Sequence, residues 1–172
     1  TPENCAEPLG GFCVFDVEYW AWKRHLEVAV ISDLLGTWRL LSFEMRPSEG
    51  AFSQPFDVDP CGVLIYDANG NFSVQLARSE RPEFASGDMR DGTDDEIRAA
   101  YTGYIAYFGV YDVNEVDSYV THKVDMSLFP NWQGVPQRRF FALSEDTLTL
   151  TTPPTPFGGR EMTAVLVRER AS

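Results

Sequence analysis

Histidine and cysteine are scarce in this chain, with two of the first and three of the second among 172 residues. Cys5, Cys13 and Cys61 are odd in number and stand in no CxxC or Cys/His spacing. That disfavours a disulfide framework or a zinc site and fits a reducing, cytoplasmic compartment. No basic n-region followed by an apolar h-region opens the sequence, so no secretory signal is read there. The longest hydrophobic runs fall far short of the about 20 residues that cross a bilayer, which argues against a membrane partner. Cations are outnumbered too: 14 Lys and Arg stand against 26 Asp and Glu, a formal charge of −12 that makes a polyanion such as nucleic acid a poor partner.

Several chemistries lack the residues they need. Acyl transfer by Ser or Cys wants a nucleophile in a recognisable setting, and there is no G-x-S-x-G elbow. Gly158-Gly159 falls between strands rather than opening a helix, so it cannot cradle a dinucleotide. His25 has no companion at ligand spacing, and His122 is the one histidine of the β-rich part. That leaves no metal set and no c-type haem attachment, and no cofactor is expected. The acidic run Asp88, Asp91, Asp94, Asp95 and Glu96 leads into a helix start, where negative charge is favourable, rather than forming a calcium loop.

What is abundant is material for a core, 44% hydrophobic and 13% aromatic residues. A chain of this length buries about two thirds of its unfolded surface as one domain. Residues 1–12 read as an irregular tail. From Val14 to Leu35, Tyr19, Trp22, Leu26, Ala29 and Val30 recur at helical spacing, a helix that packs on its own barrel, lids a pocket or meets a second copy in a homodimer.

Strand periodicity begins at Leu35, where Trp38, Leu40, Ser42 and Glu44 share one face. Gly62–Asp67 and Asn71–Arg78 flank Ala68-Asn69-Gly70 as a hairpin whose inner polar groups are expected to be Tyr66 and Gln75. Thr93-Asp94-Asp95-Glu96 is a capping box, and Ile97, Ala100, Tyr101, Tyr104, Ile105 and Phe108 continue it as one helical face.

The stretch Ser118 to Leu143 then reads as two strands around a Pro/Asn/Gly corner. Val120, His122, Val124, Met126 and Leu128 fall on one face of the first, and Arg139, Phe141 and Leu143 on one face of the second. Trp132 sits at the corner between them. Thr147–Thr152, a loop over residues 153–159 and a last strand, Arg160–Arg168, complete a mainly antiparallel all-β chain of roughly eight strands. At that number a closed barrel encloses side chains or one small ligand.

With these segments placed, the chain from about Leu34 to Arg170 resembles the bacterial and fungal lipocalin-like domain family. The blocks that carry the resemblance are LLGTWRLLSFE, GVLIYDANGNFSVQLAR, RPEFASGD, GYIAYFGVY, VTHKVDMSLFPNW, RRFFALSEDTLTLTTPP and TAVLVRER. They divide the chain into an N-terminal tail and helix, 1–33, and a barrel domain, 34–172. The resemblance implies an eight-stranded lipocalin-like barrel with an N-terminal helix, one side helix, and a cavity for an apolar or amphipathic small molecule. It implies no single reaction, although some barrel proteins of similar size are cyclases or isomerases in natural-product pathways.

Two functions remain open at this stage. In the first, the barrel isomerises, dehydrates or cyclises an apolar natural-product-like guest without a cofactor. His122 moves a proton, Arg139 holds a carbonyl or enolate oxygen, and Tyr66 or Glu44 relays or orients. Trp38, Gln75, Tyr101, Tyr104, Met126, Trp132 and Phe141 are the candidate ligand contacts. In the second, the same polar groups form a satisfied internal network in a carrier or sequestering protein. A cavity filled by its own side chains would leave neither.

Overall fold

The computed structural model describes residues 31–171, and the expected helix over residues 14–30 lies outside them. Residues 31–34 are helical and lead directly into the first strand. The strands are β1 (Gly36–Pro47), β2 (Cys61–Tyr66), β3 (Asn71–Ala77), β4 (Tyr104–Asn114), β5 (Tyr119–Ser127), β6 (Pro136–Ser144), β7 (Thr147–Thr151), β8 (Thr155–Phe157) and β9 (Arg160–Arg170). One helix, α1 (Asp94–Thr102), separates β3 from β4. Every pairing is antiparallel, and β1 pairs with both β2 and β9, so eight strands close into a barrel while β8 hangs on β9 as a short extension. The all-β, lipocalin-like architecture read from the sequence is the one observed. Among the described residues no helix is long and apolar enough to cross a membrane.

Local chemistry explains the turns. In the β2–β3 hairpin, Asp67 Oδ1 accepts the backbone N–H of Asn69 and of Asn71 at 2.8 Å each, and Gly70 takes a positive φ of 83°. Helix α1 carries the capping box: the Thr93 hydroxyl accepts from Glu96 N–H, and the Glu96 carboxylate accepts from Thr93 N–H at 2.7 Å. The helix ends at Thr102, well short of the apolar periodicity that suggested continuation through Phe108. Gly103 caps it by donating to Ala99 O at 2.9 Å, and the aromatic and β-branched run that follows enters the sheet. Tyr104 therefore starts β4 opposite Ala77, and no residue of α1 is buried. The stretch after Pro154, expected as loop, holds β8, which turns into β9 through Gly158 and Gly159 at φ of 58° and 80°.

Two β-bulges decide which side chains enter the barrel. Between Leu40 and Ser42 the β1–β9 register slips, so Leu41 is the extra residue and Phe43 and Met45, rather than Ser42 and Glu44, point inward. Glu44 lies outside and binds Arg46 Nε and NH2 at 2.9 and 2.7 Å. On β5, Gly109 faces Val124 while Phe108 faces Met126, which makes Asp125 the extra residue and turns Met126 out to 53% exposure. Gly109 permits this close passage: a Cβ there would overlap the Lys123 carbonyl oxygen and stand 2.8 Å from Asp125 N.

One end of the barrel is shut by Trp38. Its ring is wholly buried, its Nε1–H donates to Leu34 O at 2.8 Å, and the Arg170 guanidinium lies 4.3 Å from the ring centroid. Arg170 also donates to Leu35 O at 2.9 Å and Asp33 O at 2.6 Å, tying the helical turn at 31–34 onto the last strand. Burial of Leu34, Trp38, Leu64 and Leu148 here contributes about 1.5–3 kcal/mol for each side chain.

Candidate functional site

At the opposite end lies a cavity of about 450 Å³, within the usual size range of small-molecule sites. Its apolar wall includes Phe43, Met45, Leu76, Ile105 and Leu166, the first two brought inward by the β1 bulge. Aromatic rings form the rim: Trp132 packs edge-on against Tyr107 at 5.4 Å and against Phe129 at 5.8 Å, and Phe157 comes from β8. Besides the aromatic Tyr107, four polar residues belong to the lining, Gln137, Arg139, Thr152 and Thr155. Thr152 is partly occupied, its hydroxyl accepting Ala164 N–H at 2.9 Å. Arg139 is 5% exposed, and its NH1 donates to Arg138 O at 2.9 Å.

The barrel interior holds a second polar group outside the cavity lining. His122 is fully buried, with Nε2 2.6 Å from Tyr66 Oη and Phe72 stacked on the imidazole at 4.1 Å between centroids. Tyr107 lines the cavity and its ring centroid lies 5.9 Å from that of the imidazole, which does not itself line the cavity. His122 Nδ1 has no hydrogen-bond partner, and neither do Nε and NH1 of Arg168, a side chain 1% exposed. Arg168 follows Leu166 on the inner face of β9, one inward position deeper than the cavity wall.

Burial sets the protonation of this layer. It holds the Tyr66 phenol well above its ordinary range, reinforced by Tyr107 and partly offset by Arg168 and Arg139. It pushes His122 well below 6.5, with Arg139 and then Arg168 adding to the effect. It brings Arg168 down to about 10, with Arg139 acting in the same sense and Tyr107 and Tyr66 opposing. At neutral pH the layer therefore consists of a neutral phenol, a neutral imidazole and two guanidinium cations. Among the described residues, no carboxylate forms an ion pair with either Arg139 or Arg168, and the buried polar side chains are His122, Arg139, Thr152 and Arg168.

Of the residues singled out from the sequence, Tyr66 and His122 do meet inside the barrel with Arg139 near enough to act on them electrostatically, and Trp132 and Arg139 border the cavity. Phe141 is half-buried on the core side without lining the cavity. Trp38 serves the closed end, away from any guest. Glu44 and Met126 are turned out by the two bulges. Gln75 is also outside, because Tyr66 pairs with Phe72 and the inward positions of β3 are therefore 72, 74 and 76; its amide donates to Ser73 Oγ at 2.6 Å. Tyr104 lies on the outer face under the Arg81 guanidinium, and Tyr101 is 46% exposed on α1.

The residues that sequence reading passed over are Tyr107, hidden by the extended helix assignment, Phe157 in the assumed loop, and Gln137, Thr152 and Arg168. Arg168 was within reach, since it continues the Met162, Ala164, Leu166 alternation. Among the described residues no cluster of three His, Cys, Asp or Glu side chains could hold a metal ion.

Comparison with known proteins agrees with this architecture. The lipocalin-like domain family matches the chain over residues 35–171. The 4'-hydroxy-3'-methoxypropiophenone carrier protein ppsC of Aspergillus oryzae is 35% identical over 86 residues, covering 46% of this chain and 78% of that protein. No solved structure matches the chain.

Proposed function

The chain belongs to the lipocalin-like domain family, and we propose that it binds a small, mainly apolar molecule inside its barrel and acts as a carrier or sequestering protein for it. The observation that carries this reading is the cavity of about 450 Å³, with its aliphatic wall and aromatic rim and with Arg139, Gln137, Thr152 and Thr155 as its polar contacts. The similarity to a protein named as a carrier of an aryl ketone supports the same class of guest.

A second reading, isomerisation or cyclisation of the guest without a cofactor, has Arg139 in its favour. A guanidinium on the cavity wall suits a carbonyl or enolate oxygen. The histidine that would move the proton is fully buried, does not line the cavity and is held neutral by burial, which favours binding over proton transfer.

The test uses the neutral dye N-phenyl-1-naphthylamine, whose emission rises in apolar surroundings. Saturable binding of one dye per chain is expected. Ala164→Phe, which fills the cavity from β9, should weaken it about tenfold or more while the circular dichroism spectrum is kept. No saturable binding, or equal affinity in Ala164→Phe, sinks the proposal. Turnover of a bound aryl ketone that is lost in Arg139→Met would instead favour the catalytic reading.

A further inference from the structure

Among the described residues, the interior carries two cations and no carboxylate paired with either. Arg139 is at the cavity wall and Arg168 lies just below it, 5% and 1% exposed. The groups that act electrostatically on Arg168 are Tyr107, Tyr66 and Arg139, and no carboxylate is among them. A guanidinium offers five N–H donors, yet Nε and NH1 of Arg168 have no partner and Arg139 NH1 reaches only its neighbour's carbonyl. Burying one unpaired charge is costly, and burying two of the same sign is costlier still. Tyr66 and His122, the other polar groups of the layer, are neutral and bind each other.

We propose that the natural guest supplies the missing charge: an apolar body ending in an ionised oxygen acid, a carboxylate or an acidic phenol, whose anionic oxygen seats on Arg139 with Arg168 behind it. This rests on the binding function proposed above and specifies the chemistry of that guest. The overall charge of −12 does not oppose it, because among the described residues no Asp or Glu belongs to the buried set, while Arg139 and Arg168 do. The aliphatic and aromatic walls take the body of the molecule, and the guanidinium pair takes its head. A charged guest is thereby selected over a neutral isostere, since only the anion brings the opposite charge as well as acceptors to the open donors.

Displacement of N-phenyl-1-naphthylamine tests this with two matched pairs, 3-phenylpropanoate against 3-phenylpropanamide and, at mildly alkaline pH, 4-nitrophenol against 4-nitroanisole. The anion of at least one pair should displace the dye at about tenfold or more lower concentration than its neutral partner. The pair that discriminates tells carboxylate from phenolate, and bound 4-nitrophenol should show the phenolate absorbance. Arg139→Met and Arg168→Met should each shrink the acid-to-neutral ratio toward one, and Arg139→Met carries the test alone if the deeper variant does not fold. Equal potency of acid and neutral partner in both pairs, or no displacement by either acid while the dye still binds, overturns the anion assignment and leaves the binding function standing. Failure of the dye itself to bind takes both down.

Discussion

Tyr66 and His122, 56 positions apart in the chain, meet with Oη and Nε2 2.6 Å apart in the middle of the barrel. Neither lines the cavity: Phe72 stacks on the imidazole, and Tyr107, a lining residue, lies 5.9 Å from it. Their shared burial moves the two groups in opposite directions, phenol upward and imidazole downward, and both changes favour the neutral form. This pair fixes strands β2 and β5 to each other, while Arg139 faces the guest.

The neutral imidazole has a measurable consequence for stability. With the folded His122 held below 6.5, the unfolded chain binds the extra proton as pH falls. Stability should therefore be full above about 6.5 and decline below it, by up to about 1.4 kcal/mol per pH unit, until the folded value is reached. Asp67 and Glu96, whose carboxyl values are lowered from 3.8 and 4.5 by hydrogen bonds from Asn71 and from the Ala85 backbone, lose their contributions at more acid pH. Urea titrations between pH 7 and 5 should show the slope in the native chain and a reduced slope in His122→Phe. Identical slopes would place the titrating group elsewhere.

Arg168 should be a stability liability in the empty barrel. It is wholly interior, two of its nitrogens lack partners, and burial depresses it to about 10. Arg168→Met keeps the volume and removes the charge, and replacements of that kind raise stability by about 1–4 kcal/mol. An upward shift in the urea midpoint, at unchanged slope with denaturant, is the expected result. A loss of stability would mean that the guanidinium is satisfied in the free protein.

Glu44 offers the contrast. The β1 bulge places its carboxylate outside, on Arg46, so Glu44→Ala removes a partly exposed ion pair and should cost about 0–1 kcal/mol. Dye affinity should match the native chain. A tenfold loss of affinity would show that the bulge is not where the register puts it.

Strand alternation made much of the barrel legible, and the places where it failed are specific. Leu41 and Asp125 are single extra residues, and each reverses every inward and outward assignment beyond it in its strand, which moved Glu44 and Met126 out and Phe43 and Met45 in. Nothing in the residue types around Leu41 announces the slip. Near Asp125 the signal sits in the partner strand, in Gly109. The second failure was periodicity itself. Over Tyr101 to Phe108, apolar residues satisfy both helical and strand spacing, and Gly103 decided between them. His122, Tyr66 and Arg139 were found because each lies before a bulge or in a strand without one. Arg168 was passed over although the alternation of Met162, Ala164 and Leu166 carries it inward.

The β5 bulge supplies the most demanding test of how this fold builds its site. Gly109 lies where β4 passes closest to β5, and the added Cβ of Gly109→Ala would collide with the Lys123 carbonyl and crowd Asp125 N, both of them backbone. Backbone cannot swing aside as a side-chain tip does, so the strands must separate or the bulge must move. Separation costs about 1–3 kcal/mol of overpacking, seen as a lower urea midpoint. Movement of the bulge would change the face on which Met126 lies and disturb the turn that carries Trp132 onto the cavity rim. Dye binding should therefore weaken in Gly109→Ala even at urea concentrations well below its midpoint, with Trp132 emission shifted to the red. A variant as stable as the native chain, with native dye affinity, would mean that β4 and β5 do not approach as closely as described.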